Sequence, residues 1–196
     1  MLSQDEARFP LVPTLCTTLG VKGYRPVVGT WDNKDQVYCC AALNLVTGQL
    51  TTRLLEQPAH SKATTGHSKQ QRLQGAFAAH LQDIARAYPA SVYPAVIITI
   101  DNAPWHRGVG VQQVLATHPH MRLYRLPSYS PQLNIIERFW RVLRRRATHN
   151  RLFASMAMVR ATLRNNISYF QTMHQKVLSL IESARKAKKA AKLAAA

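Results

Sequence analysis

Residues 95–101 read AVIITID, an unbroken apolar run held between Pro94 and Pro104 and closed by an aspartate. The run is too short for a core helix and suits a strand. A strand that is apolar at nearly every position needs cover on both faces. A chain containing it is therefore committed to a sheet with layers on either side. The carboxylate of Asp101 at the strand tip adds a second constraint. In open α/β sheets ligands gather beyond the carboxyl ends of the strands. A carboxylate there is costly unless something cationic meets it. The competing reading is an ordinary loop aspartate in DNAP, where Asn102 and Pro104 favour a turn.

The rest of the chain supplies the layers. From Val27 to Leu55 the pattern is strand-like, VYCCAALNLV is rich in strand formers, and LVTGQL reads as a turn between two strands. With the short acidic start around Asp5 this predicts three strands in succession. Residues 57–67 read as loop. Leu73, Phe77, Leu81, Ile84 and Tyr88 recur at helical spacing, predicting an amphipathic helix of about five turns. Residues 107–118 are weakly helical, and HMRLYRLP (120–127) alternates as a strand. From Asn134 the chain reads as helix through about 149, again over 155–170, and again from Gln171 into the tail. The expected fold class is α/β, a mixed sheet covered by helices, with extra helices at the C-terminus. Sequence does not fix the strand order.

Charge narrows the partners. Lys and Arg number 26 against 9 acids in 196 residues, a net +17, while 46% hydrophobic residues predict a folded core. Such a surplus opposes compaction and normally meets a polyanion. Nucleic acid is the first candidate, since neutralising phosphates releases counterions, and an anionic membrane surface is the second. No apolar run approaches the ~20 residues of a membrane span, and MLSQDEARF lacks a signal-peptide core. An intracellular protein is expected. Cys16, Cys39 and Cys40 are odd in number and have no zinc spacing.

One acid stands out in this basic chain. In LNIIERFW (133–140), Glu137 heads a run with Arg138, Arg141, Arg144, Arg145 and Arg146. At ~100° per residue, Ile136, Phe139, Trp140, Leu143 and Ala147 form one stripe that packs inward. Glu137, Arg141, Arg144, Arg145 and Thr148 fall on an adjacent face. Two structural roles would account for the glutamate: a capping box with Asn134, and an i,i+4 pair with Arg141.

The other acids change that balance. Asp101 and Glu137 have 35 residues between them, with one predicted strand inside the interval. Asp5 lies in the first predicted strand. Acids on a first strand, a central strand tip and a late helix can converge on one point. Converged carboxylates repel and hold protons unless divalent cations neutralise them. Mg²⁺ takes one or two carboxylates plus water and phosphate oxygens. Two such ions about 4 Å apart serve phosphodiester displacement.

At these residues the sequence resembles a known family. DNAPWH (101–106), LPSYSP (126–131) and LNIIERFW (133–140), with DEARFPLVP (5–13) and GTWDNKDQVYCCAALNLVTGQL, are similar to the catalytic core of bacterial insertion-sequence transposases of the Tc/mariner superfamily, the DDE-superfamily endonucleases. The resemblance covers residues 1 to about 170. It implies an RNase H-like mixed five-stranded sheet, with a catalytic domain over 1–150, C-terminal helices over 151–181 and a basic Ala/Lys-rich tail over 182–196. It implies a catalytic and metal-binding triad of Asp5, Asp101 and Glu137, with Glu6, Asn102 and Asn134 in support. Family members use two Mg²⁺ or Mn²⁺ ions to cut transposon ends and join the 3′-OH to target DNA, commonly at TA. The expected setting is the bacterial cytoplasm at the nucleoid, and a homodimer is compatible with the resemblance.

The sequence departs from the family pattern in places. Asn134-Ile135 stands where the family often has Asn-Pro, a tolerable loss at a helix start. Gln132 replaces a common acid. Only four residues precede Asp5, so the first strand is expected to be clipped. Related transposases carry a helix-turn-helix region upstream. A split or frameshifted gene whose upstream frame supplies it, a degraded element and a mis-assigned start each account for this. Two other functions stay open: a catalytically inactive or partner-dependent DNA-binding remnant, and a stand-alone RNase H-like nuclease.

Further residues are weighed beside the triad. His106 is expected to touch either the scissile phosphate or a carboxylate, with a packed loop histidine as the alternative. Trp105 and Tyr129 read as loop anchors before base-stacking platforms. His118 and His120 read as solvated. Arg138, Arg141, Arg144 and Arg145 are expected to meet DNA phosphates. Arg185, Lys186, Lys188, Lys189 and Lys192 in the tail are either nonspecific DNA contacts or a disordered basic tail.

Overall fold

The computed structural model describes residues 1–55, 68–128, 130 and 133–181. The loop expected over 57–67, Tyr129, Gln132 and the basic tail lie outside the described residues. Among the described residues five strands and four α-helices follow one another: β1 (Leu2–Pro10), β2 (Gln36–Asn44), β3 (Leu50–Leu55), α1 (Lys69–Ala87), β4 (Val96–Ile100), α2 (Val109–Thr117), β5 (Met121–Arg125), α3 (Glu137–Ala147) and α4 (Met156–Thr172). Residues 174–181 are helical again.

The strands form one sheet in the order β3-β2-β1-β4-β5. β1, β2 and β3 are antiparallel neighbours, whereas β1–β4 and β4–β5 are parallel. β1 is not a stub. All nine of its residues pair with β2, and Leu2 and Ser3 also pair with β4. Asp5 therefore sits mid-strand, just beyond the point where β1 and β4 part.

Alternation along β1 and β2 feeds two cores. One face packs Ala7, Phe9, Cys39, Ala41 and Leu43 under α3 and α4, with Phe139, Trp140, Leu143, Leu163 and Phe170. The other packs Leu2, Ile98 and Ile100 under α1 and α2, with Phe77, Leu81, Ile84 and Val111. The inward stripe expected on α3 is buried throughout: Ile136, Phe139, Trp140, Leu143 and Ala147. Cys39 and Cys40 are both buried, and burial pushes both thiols up.

Four expectations need correction. Strand structure begins at Gln36 rather than Val27, because residues 11–35 form an arm without helix or strand. Pro13, Pro26 and three glycines interrupt pairing there, and Leu19, Tyr24 and Val27 are exposed. β4 is not covered on every residue, since Ile97 is 46% exposed. α3 starts at Glu137 rather than Asn134, and no described side chain caps it. The Asn134 amide is already taken, its Oδ1 accepting from Ser3 Oγ at 3.0 Å. The true capping box is on α1, where Ser68 and Gln71 satisfy each other's backbone N–H groups.

α1 also buries His80, and neither ring nitrogen has a hydrogen-bond partner among the described residues. Burial pushes this imidazole down from 6.5 to about 4. A base held neutral by the fold contributes its full stability above pH 6.5 and loses it as pH falls toward 4. The gap corresponds to about 3 kcal/mol. Urea unfolding of the wild type is expected to show that loss between pH 7 and pH 4. His80→Leu is expected to flatten the curve, and parallel curves would locate the acid sensitivity in other groups.

Candidate active site

The parallel half of the sheet builds the site. β1 and β4 separate beyond Ser3, and the gap receives side chains from β1, the loop after β4, the loop after β5 and the start of α3. The result is a cleft of about 380 Å³ lined by Asp5, Asp101 and Glu137, with Asn102, Ser128, Ser130 and Asn134 between them. Asn102 donates to the Leu126 carbonyl at 2.8 Å and the Leu126 N–H to Ile100 at 2.8 Å, which ties the two loops together.

Each of these three acids is held differently. Asp5 is buried, and its Oδ2 accepts from the Trp140 indole N–H at 3.2 Å. Burial, with the charges of Glu6, Glu137 and Asp101, pushes its carboxyl up to about 8. Asp101 is about half exposed, and its Oδ1 accepts from the Ala103 N–H at 2.9 Å and faces His106 Nδ1 at 3.1 Å. The His106 hydrogen bond is the main reason its carboxyl lies below the usual range. Glu137 opens α3, is exposed, and makes no ion pair with a described residue, so the Glu137–Arg141 pair does not form.

The three acids line one cleft rather than meeting at one point. Among the described residues no cluster of three His, Cys, Asp or Glu side chains is gathered tightly enough to hold a metal ion outright. The donor set nevertheless fits a hard divalent cation: carboxylates flanked by hydroxyl and amide oxygens, without thiol or lining imidazole.

His106 is not a phosphate contact. It is fully buried, with Nε2 3.1 Å from both oxygens of Glu6 and Nδ1 toward Asp101. Despite desolvation, these carboxylates push its imidazole up to about 9. Glu6 points to the α1 side of the sheet, away from Asp5, and also accepts from Trp105 Nε1 at 2.8 Å. Trp105 is thus an anchor, and Glu6 lies below the usual range because His106, Trp105 and Gln4 outweigh its burial. His120 is tied to the Tyr88 carbonyl at 2.9 Å rather than simply solvated.

The arginines divide. Arg141 and Arg145 are exposed on α3, while Arg138 and Arg144 are half-buried. Arg144 lies 5.5 Å from the Phe9 ring centroid, so it packs as well as charges the surface. Arg146 stacks 4.0 Å from the Tyr169 ring centroid and binds Asn166. The sequence pattern places Trp140 only in the core stripe. Its place one helical turn after Glu137 on the inward stripe was the available signal that it reaches β1.

A sheet of this order, with carboxylates on its first strand, beyond its fourth and at a following helix, defines an RNase H-like nuclease fold. The chain belongs to the DDE superfamily endonuclease family, whose model matches residues 1–160. It is 26% identical over 153 residues to the insertion element IS630 uncharacterized 39 kDa protein of Shigella sonnei, covering 78% of this chain and 40% of that protein. The Mos1 transposase paired-end complex with left transposon end has a TM-score of 0.58 and 18% identity, over 93% of this chain and 55% of that one. The mariner Mos1 paired end complex with Mg has a TM-score of 0.59 and 21% identity, over 94% of this chain and 53% of that one. At these identities the structural matches establish the fold. The chain spans about half the length, or less, of each of these proteins.

Proposed function

We propose that this chain is the catalytic part of a transposase, which cleaves DNA strands at transposon ends and transfers the 3′-OH into target DNA. The observation that carries this reading is the cleft lined by Asp5, Asp101 and Glu137 beside a basic helix, in a chain of this family. Residues 1–150 form the catalytic unit, residues 151–181 pack onto it, and residues 182–196 are a basic extension. Two Mg²⁺ or Mn²⁺ ions would be held by Asp5, Asp101 and Glu137, and a Mos1 complex with Mg supports that metal class. Bound there, they would supply the Lewis-acid charge that phosphodiester displacement needs.

The chain's own residues do the rest. Trp140 and His106 orient the first two carboxylates, and the Asn102–Leu126 bond keeps the loops around the cleft in register. Arg138, Arg141 and Arg145 lead from Glu137 along α3, where they would meet backbone phosphates without reading sequence. Transposon ends, a TA target, a second copy of this chain and an upstream helix-turn-helix region are the proposed partners, in the bacterial cytoplasm at the nucleoid. Among the described residues no helix is long and apolar enough to cross a membrane.

The test is incubation of the chain with supercoiled plasmid and Mn²⁺. Nicked and linear products that EDTA suppresses are expected. Salt-sensitive binding without nicking would support a non-catalytic DNA-binding protein instead. Preferential cutting of an RNA–DNA hybrid would support an RNase H-like nuclease.

A further inference from the structure

β1 sends two consecutive acids to opposite faces of the sheet. Asp5 reaches the cleft, and Glu6 is enclosed on the α1 side with its side chain only 5% exposed. Donors crowd Glu6: Gln4 Nε2 at 2.6 Å, Trp105 Nε1 at 2.8 Å, and His106 Nε2 at 3.1 Å from each oxygen. A carboxylate so occupied does not line the cleft, and it is absent from the cleft's walls. Its partner His106 turns the other ring nitrogen to Asp101, 3.1 Å from Oδ1 and 3.3 Å from the backbone carbonyl oxygen, while the Phe77 ring packs 4.3 Å away and fixes the imidazole plane. Both ring nitrogens face oxygens that can only accept, so both are donors. The Ala103 N–H meets the same Oδ1, and no described residue hydrogen-bonds Oδ2.

The geometry points to Glu6 and His106 as positioning residues that grip Asp101 by one oxygen and present the other to a divalent cation in the cleft. Glu6 acts through His106: it fixes the ring's rotation and balances its charge, so the imidazolium orients Asp101 without neutralising the site. Outer partners of this kind set the orientation and basicity of metal-bound carboxylates. The inference rests on the metal-binding reading of the cleft given above.

The experiment is a Mn²⁺ titration of the intact chain, followed by electron paramagnetic resonance, with His106→Ala, Glu6→Gln and the double variant. His106→Ala is expected to weaken Mn²⁺ binding about 10–100-fold and to lower kcat with KM for DNA unchanged. Glu6→Gln is expected to weaken it less. The double variant is expected to be no worse than His106→Ala, because Glu6 works only through the imidazole. A folded His106→Ala chain that binds Mn²⁺ as well as, or better than, the wild type overturns the inference, because loss of a neighbouring cation alone would tighten binding. If His106→Ala fails to fold, Glu6→Gln, which keeps the side-chain shape, decides the matter: unchanged Mn²⁺ affinity overturns it. A wild type that binds no Mn²⁺ removes the metal reading itself, and this inference with it.

Discussion

Asp5→Asn is expected to melt at a higher temperature than the wild type in EDTA and to lose DNA cleavage. Both outcomes come from the same burial. The Asp5 carboxylate is desolvated and faces the charges of Glu6, Glu137 and Asp101, which push its carboxyl up to about 8. Unfolded, it ionises near 3.8, so the folded state keeps a proton that the unfolded state releases. Metal-free stability therefore falls as pH rises from about 4 to about 8. Asparagine has the same shape, carries no charge and still offers Trp140 an acceptor. The gain is on the order of 2 kcal/mol near neutral pH, or several degrees in Tm. Added Mn²⁺ reverses the order, since a ligand bound only by the native state stabilises only the chain that binds it. A metal-free Asp5→Asn chain less stable than the wild type would show that the cluster is not strained.

Asp101→Asn is expected to give the same loss of cleavage with the opposite effect on the fold. His106 and the Ala103 N–H hold the Asp101 carboxyl below its ordinary range. That stability is present above pH 3.8 and lost as pH falls below it. The amide also leaves the His106 imidazolium facing a weaker acceptor. DNA affinity should persist in both variants, because the exposed arginines of α3 are untouched.

Periodicity made much of this legible. The α3 stripe and the apolar β4 run are local patterns with one physical reading each, and they located Asp101 at a strand tip and Glu137 at a helix start. The family resemblance carried by DEARFPLVP, DNAPWH and LNIIERFW supplied the pairing of those two acids with Asp5. What stayed hidden is tertiary. His106 meets Glu6 across 100 positions, Trp140 meets Asp5 across 135, and Ser3 takes the Asn134 amide across 131. No local window contains such a competition, so a capping box at Asn134 stood as one structural role for Glu137 although the Asn134 side chain is committed elsewhere. Residues 27–35 read as strand because Val27 and Val28 are strand formers by type, while Pro26 and Gly29 beside them interrupt pairing.

Trp140 joins core and cleft in one side chain, and its substitutions separate the two roles. The indole is fully buried, 6.1 Å from the Phe9 ring and 5.2 Å from the Phe139 ring by centroid. Trp140→Ala removes that volume and is expected to cost about 3–5 kcal/mol, a large share of the roughly 5–15 kcal/mol that a domain has. Trp140→Phe keeps most of the volume and removes the N–H that holds Asp5 Oδ2. It is expected to fold, to lose about 1–3 kcal/mol, and to cut DNA roughly tenfold more slowly at temperatures where it is fully native. Phe139→Leu is the control, since Phe139 is as deeply buried in the same cluster and makes no hydrogen bond to the cleft. It should lower Tm and leave Mn²⁺-dependent cleavage at 25 °C close to the wild-type rate. Equal slowing in Phe139→Leu and Trp140→Phe would mean that core packing, and not the indole N–H, keeps Asp5 in place.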